Sequence, residues 1–483
     1  LDGSTVGRRA VHKIIYHKIY TIPITEEVTK MTQGKDPGLT SGTGIVGKAK
    51  LARVASIKLA SATTAEKNNA LLRIADALDA NRKAILAANS KDIALARELV
   101  EAGEMSQALL YRLIVDDSKV NEMILSVKDV EKLPDPVGKT LAAIELDGGL
   151  ELFQVSCPIG VIGTIFESRP DVLVQISALC LKTGNAVLLK GGSEARHSNE
   201  ALFELVATAV SEGTGISEGW IQLLETREDV NEMLRLNEYI DLIVPRGSNQ
   251  LVKYIQENTS IMVLGHSEGI CHVYVDRDAD VDMALDISYD AKVQYPAVCN
   301  AAETLLVDSA IAREFLPQMV DRYLAAGVEI RACPRTMAIV KDKKELKPAT
   351  EEDWRTEYND LIISVKVVEG VDEAIEHINT YGSGHTDAIV TENKKTALKF
   401  MQFVDSSSVM HNASTRFSDG FRYGKGAEVG ISTYKVHARG PVGLEGLVIY
   451  KYLLVGNGHV VAPYIGAGAK QFTHKRLSKQ FSF

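Results

Sequence analysis

The chain has 483 residues, 45% hydrophobic and 24% charged, the make-up of an ordinary globular protein and, at ~150 residues per domain, long enough for two or three. Fifty-four Lys and Arg stand against 63 Asp and Glu, a net charge of −9, so no electrostatic footprint points to nucleic acid. Cys157, Cys180, Cys271, Cys299 and Cys333 are too scattered for a zinc motif or a disulfide framework, and no run approaches the ~20 apolar residues of a membrane span; a reducing, cytoplasmic setting is expected.

Residues 1–30 hold no methionine and carry Arg8, Arg9, Lys13 and Lys18, the pattern of a basic address signal or of a leader foreign to the fold. They are set apart from the fold. Gly42-Thr43-Gly44-Ile45-Val46-Gly47 spells GxGxxG, but no strand precedes it and Ala49 replaces the Ser or Thr of a phosphate loop. A plain entry into a helix is expected. Residues 46–115 read as helical, with Leu71, Ile74, Ala75, Leu78, Ile85 and Leu86 recurring near 3.6; Ser90, followed by Asp92, is expected to cap a new helix. A hairpin is expected over 140–155, turning at Asp147-Gly148-Gly149.

From Val155 apolar runs at 159–165, 186–189, 220–224, 240–244 and 270–275 alternate with helical segments near 171–182, 195–211, 227–236 and 248–258. The alternation predicts parallel strands covered by helices on both faces. It resumes with strands near 303–307, 362–368, 386–390 and 408–411, so two α/β lobes are expected to meet between about residues 265 and 300. A crevice between lobes, at strand carboxyl ends, favours ligands. Residues 412–446 lack periodicity and predict a functional loop.

Two strand–Gly–helix turns suit a nucleotide: Lys190-Gly191-Gly192-Ser193 and Pro245-Arg246-Gly247-Ser248-Asn249. Cys299, in Tyr295-Pro296-Ala297-Val298-Cys299-Asn300 at the lobe junction, is expected to face the crevice, whereas Cys157, Cys180 and Cys271 lie in apolar elements and Cys333 in a surface loop. Arg169, Arg246, Arg416 and Arg439 each sit beside a Pro, Gly or small residue in a loop. Their guanidinium groups, if convergent, suit an acidic, phosphorylated substrate.

Together these motifs name a family. Pro158-Ile159-Gly160-Val161-Ile162-Gly163 with Phe166-Glu167-Ser168-Arg169-Pro170-Asp171, then Val244 to Asn249, Leu264-Gly265-His266, Tyr295 to Leu306, His411 to Phe417, Glu428 to Ser432 and His437 to Gly443 resemble the γ-glutamyl phosphate reductases (glutamate-5-semialdehyde dehydrogenases) of the aldehyde dehydrogenase superfamily. The match runs from about 46 to 470.

The resemblance implies an aldehyde dehydrogenase-like α/β fold: a Rossmann-type NADP-binding domain from 31–133 and 156–268, a catalytic domain at 269–445, and an oligomerisation flap with tail from 134–155 and 446–483. It implies Cys299 as nucleophile, with Asn300 or Arg169 helping its backbone N–H at the oxyanion. Lys190, Gly191, Gly192, Ser193, Gly247, Ser248 and Glu357 would hold NADPH. Arg246, Asn412, Ser414, Arg416 and Arg439 would hold γ-glutamyl phosphate, which a glutamate kinase would supply. A homo-oligomer is expected, and neither a metal, nor nucleic acid, nor a membrane.

Val263 stands where hydrolytic relatives carry a glutamate base, which points to phosphate release rather than hydrolysis, with nearby Glu268 the carboxylate that could substitute. Ser267, Glu268, Ala302, Lys425 and Tyr434 depart from the family pattern and bear on substrate affinity. A hydrolytic aldehyde dehydrogenase, a non-catalytic relative and a fragment of a kinase-fused pyrroline-carboxylate synthase are the alternatives.

Overall fold

The computed structural model describes residues 44–482 except 267; the expectations for residues 1–30 lie outside it. Its strands in chain order are β1 (Thr140–Asp147), β2 (Leu150–Pro158), β3 (Val161–Phe166), β4 (Ala186–Gly191), β5 (Ile221–Leu224), β6 (Leu242–Arg246), β7 (Met262–Val263), β8 (Cys271–Val275), β9 (Ala302–Asp308), β10 (Glu329–Ala332), β11 (Lys347–Pro348), β12 (Ile362–Val368), β13 (Thr386–Val390), β14 (Ser408–His411), β15 (Gly430–Ser432), β16 (Gly440–Val442), β17 (Val448–Val455) and β18 (Lys475–Arg476).

The apolar runs became two parallel sheets. One has five strands in the order β5-β4-β3-β6-β7; the other has seven, β11-β10-β12-β9-β8-β13-β14. Every residue of β3, β4, β8 and β9 is buried, which is why these strands read as continuous apolar runs rather than alternating ones. Register then does the positioning. Phe166 pairs with both Gly191 and Arg246, so β3, β4 and β6 end at one level. In the second sheet Cys271 pairs with Ala302, which sets the chain before β8 level with the chain before β9.

The amino-terminal helices pack on the first sheet. Thr63 and Glu66 form a capping box that starts helix Thr64–Ala80, and its Leu71, Ile74, Ala75 and Leu78 enter the same core as Ile162, Leu179 and Val187. The expected cap at Ser90 is a correction: helix Arg82–Glu101 runs through it unbroken. Ser90 Oγ donates back to the Leu86 carbonyl, so the hydroxyl joined the helix ladder instead of ending it. Asp92 is buried and caps a distant helix, Arg196–Ser211, accepting from His197 N (3.1 Å), Ser198 N (2.8 Å) and Ser198 Oγ (2.6 Å). Helix Ile45–Leu59 begins directly after Gly44; Lys48 Nζ donates to the Leu223 carbonyl rather than serving a phosphate loop.

The hairpin turns at Gly148-Gly149 and continues outward: β17 pairs along β2 and β18 along β1, giving a separate four-stranded antiparallel sheet. β17 keeps Tyr450, Tyr452 and Leu454 exposed. Cys333 is buried, not a surface-loop residue, and its sulfur accepts from Thr336 N at the start of helix Pro334–Ile339. The aperiodic 412–446 segment holds the β15–β16 pair, and its Ala427, Val429 and Val442 join the core of the first lobe. Among the described residues no helix is long and apolar enough to cross a membrane.

Candidate active site

Where the carboxyl edge of the first sheet faces the amino edge of the second lies a cleft of about 990 Å³. β3 leads to Glu167, Arg169 and Asp171, β6 to Arg246, Gly247, Ser248 and Asn249, and the turn before β9 to Cys299; Glu357, Leu264, Gly265 and His266 complete the wall near the sulfur.

Cys299 follows helix Val281–Val293 and sits in a tight turn closed by Ala301 N donating to the Val298 carbonyl (3.0 Å). Gly269, just before β8, lies directly against it. A Cβ there would stand 2.2 Å from the Cys299 carbonyl oxygen and 2.6 Å from its Cα, so only glycine admits the approach. Cys271 Sγ holds the same carbonyl at 3.2 Å. The thiol is partly buried and pushed up to about 12, chiefly by loss of solvent, with the Glu357 and Glu428 carboxylates adding to this and Arg246 opposing it.

Ser168 turns the chain into the cleft with φ +47, held by its N–H and Oγ both donating to Glu194 Oε1 (2.6 and 2.7 Å). Arg169 follows and pairs with Asp171 at 2.8 Å. Burial lowers Arg246 from its ordinary value, and the positive charge of Arg169 lowers it further, while Glu428, Cys299 and Asp171 resist. Two guanidinium groups close enough to repel, beside a thiol, have the charge and donor geometry that suit a dianion or carboxylate.

The second turn opens helix Asn249–Glu257, which Ser248 Oγ caps. The Ser248 N–H donates to Glu167 Oε2 (2.8 Å), and Asn249 Nδ2 reaches Glu357 Oε2 (3.2 Å). A Cβ on Gly247 would meet Glu167 Oε2 at 2.5 Å and the Leu251 side chain at 2.7 Å. A helix amino terminus, a glycine cradle and a carboxylate fit the pyrophosphate and ribose of a dinucleotide, with the Glu167 carboxylate occupying the donor a phosphate would use.

Of the residues singled out in the sequence, Cys299, Arg169, Arg246, Gly247, Ser248 and Glu357 line this one cleft. The Lys190–Ser193 turn lies outside its lining; Lys190 is buried, its Nζ donating to the Gly191 carbonyl, and a Cβ on Gly192 would strike the Glu194 carboxylate. Asn300 turns away, Nδ2 donating to the Ser418 carbonyl at 2.8 Å. Asn412 (φ +52) is engaged with the backbone of Thr391, and Ser414 accepts from Arg416 N. Arg416 is buried, bound to Gln294 Oε1 at 3.0 Å and near enough to Cys299 to interact with a thiolate there. Arg439 donates to Asp405 and to the Thr433 carbonyl and does not line the cleft. These loop residues carried no periodic signal that would have fixed their direction.

Sequence reasoning missed Glu167, His266 and Gly269 as parts of the site. His266 was visible only as the end of a Leu-Gly-His string. Burial also keeps His266 and His385 below the ordinary histidine value, hence neutral. Glu303 on β9 and Lys292 form a fully buried pair at 2.6 Å; burial raises the Glu303 carboxyl to about 8 despite the lysine.

Two parallel sheets enclosing a cleft with a cysteine at its junction define an aldehyde dehydrogenase-like protein. The family model described as the aldehyde dehydrogenase family matches residues 43–336. A γ-glutamyl phosphate reductase of Methanococcoides burtonii is 58% identical over 442 residues, 91% of this chain and 98% of that protein. The crystal structure of the γ-glutamyl phosphate reductase of Thermotoga maritima has a TM-score of 0.83 at 46% identity, covering 86% of this chain and 99% of that one. An engineered glycolyl-CoA reductase with bound NADP+ shares the fold at 16% identity, with a TM-score of 0.59. The chain therefore belongs to the aldehyde dehydrogenase family and, within it, to the γ-glutamyl phosphate reductases, and it is an oxidoreductase.

Proposed function

We propose that the chain reduces L-glutamyl 5-phosphate to L-glutamate 5-semialdehyde with release of phosphate, the second step of proline biosynthesis from glutamate. The observation that carries this reading is Cys299 in the inter-lobe cleft with Arg169 and Arg246 on the same wall; the similarity to proteins named for that activity supports it.

The Cys299 sulfur attacks the γ-carbonyl, its proton passing to a neutral base, for which His266 is the nearby imidazole. The tetrahedral oxyanion takes the Cys299 backbone N–H, with Arg169 as the side-chain donor. Phosphate leaves against Arg246 and Arg169, giving a γ-glutamyl thioester. NADPH, when bound along Gly247, Ser248 and Glu357, supplies the hydride that brings the acyl group to the aldehyde level. The departing aldehyde returns the thiol.

Phosphate release is favoured over hydrolysis because Val263 lies on β7 and Glu268 is exposed and off the cleft wall; neither can activate water beside the thioester. The exposed β17 edge, bearing Tyr450, Tyr452 and Leu454, suits pairing with a second copy, and a reducing, cytoplasmic setting suits free thiols.

The test runs the reaction backwards. Glutamate 5-semialdehyde and NADP+ should yield NADPH only when inorganic phosphate is added, and Cys299→Ser should remove at least about 99% of the rate. Oxidation at full rate without phosphate would make the enzyme hydrolytic.

A further inference from the structure

His385 precedes β13 and its imidazole is fully buried. Nδ1 lies 2.9 Å from Thr386 Oγ1, and Nε2 has no hydrogen-bond partner. A buried ring nitrogen without a partner is costly to keep. His266 approaches it edge-on, ring centres 4.9 Å apart, with its own Nδ1 fixed 2.7 Å from the Ile431 carbonyl. One ring nitrogen of each histidine and the Cys299 sulfur all lie within 4.8 Å of one another.

We propose that Cys299, His266 and His385 form a binding site for a soft divalent cation of the zinc class. Both imidazoles are held as metal-ligating histidines are held. Each has Nδ1 on an oxygen, the Ile431 carbonyl for His266 and the Thr386 hydroxyl for His385, and with the ring proton on Nδ1 the Nε2 lone pair is the one left to ligate. One thiolate and two imidazoles select zinc-like ions over magnesium or calcium. The two histidines come from different elements, and Cys299 adds the third, so the set closes on an ion by side-chain movements of about an ångström toward the ~2.0–2.3 Å bond lengths zinc needs. The fourth position opens to the cleft through Cys299 and His266, both on its wall. Cys271 stays outside the set, since its sulfur faces the Nδ1 side of His385 at 3.6 Å.

On binding, the ion replaces the proton on sulfur and that proton passes to solvent. The sulfur lone pair is then engaged, and the acyl transfer proposed above stops until the ion is removed. That consequence rests on the proposed role of Cys299; the binding itself does not.

Cobalt(II) serves as the probe. Titrated into chelator-treated protein, it should produce one equivalent of a thiolate-to-metal charge-transfer band with the intense visible bands of four-coordination, and zinc should displace it. Zinc should also protect Cys299 from iodoacetamide. The band should vanish in Cys299→Ser, and His266→Ala, on the cleft wall, should weaken zinc protection at least about tenfold. His385→Gln should do the same where it folds. Absence of the band in the wild type, its survival in Cys299→Ser, or undiminished protection in His266→Ala would overturn the site. Loss of activity in metal-free protein would instead count against the proposed function.

Discussion

At the residue scale the proposed chemistry turns on a thiol held against its own ionisation. Loss of solvent pushes Cys299 up to about 12, so in the ligand-free enzyme the thiolate fraction climbs about tenfold per pH unit across neutrality. The rate of iodoacetamide labelling at Cys299 should follow that slope between about pH 7 and 9 without levelling; a plateau with a midpoint below about 8 would show the sulfur already activated. Arg246 supplies the opposing positive charge and, in the proposed reaction, would seat the leaving phosphate together with Arg169. Arg246→Ala should raise KM for the acyl phosphate by about tenfold or more, a charge-assisted contact being worth roughly 1.5–3 kcal/mol, and leave KM for NADPH within about twofold. Equal effects on both would place Arg246 outside the substrate subsite.

Elements matter here because they set which residues share a level. Parallel register brings Arg246 and the chain after Phe166 to one sheet edge, and the Cys271–Ala302 pairing brings Gly269 under Cys299. The strands were legible because burial on both faces leaves long apolar runs, and the two strand–Gly–helix turns were legible through their glycines. What escaped were contacts made across elements. Asp92 looked like a local first-turn acid after a Ser90 cap, yet its carboxylate reaches more than a hundred positions along the chain to the start of helix Arg196–Ser211. No local pattern records such a partner. Asp92→Ala leaves three donors unpaired in a buried place and should cost about 1–3 kcal/mol in urea unfolding, with Asp92→Asn recovering part; a loss under about 0.5 kcal/mol would show that solvent replaces the cap. The same blindness hid His385, which stands at the head of β13 with nothing in the sequence to tie it to His266 or Cys299.

For the whole molecule, pH dependence follows from histidines folded as neutral rings. Burial pushes His377 down to about 2 and lowers His266 and His385 as well. In the unfolded chain each takes up a proton near pH 6.5, so below that value the unfolded state binds more protons and stability falls as pH drops. Each such histidine should cost up to ~1.4 kcal/mol per pH unit below about 6.5. The urea midpoint should decline from pH 6.5 to 5, the Glu303 carboxyl, held protonated up to about 8 in the fold, offsetting part of the histidine effect, with His377→Gln flattening the slope; a slope unchanged by His377→Gln would mean that ring is not kept neutral.

In the proposed reaction the two lobes meet around a sulfur that carries the acyl group. Mass spectrometry of the Cys299 peptide tests it most directly, after acid quench of enzyme supplied with γ-glutamyl phosphate generated in place by a glutamate kinase, with reduced cofactor withheld. A γ-glutamyl mass on Cys299, discharged when NADPH is added, is the predicted result. An unmodified Cys299 in enzyme that still turns over, or the adduct on another residue, would contradict the account.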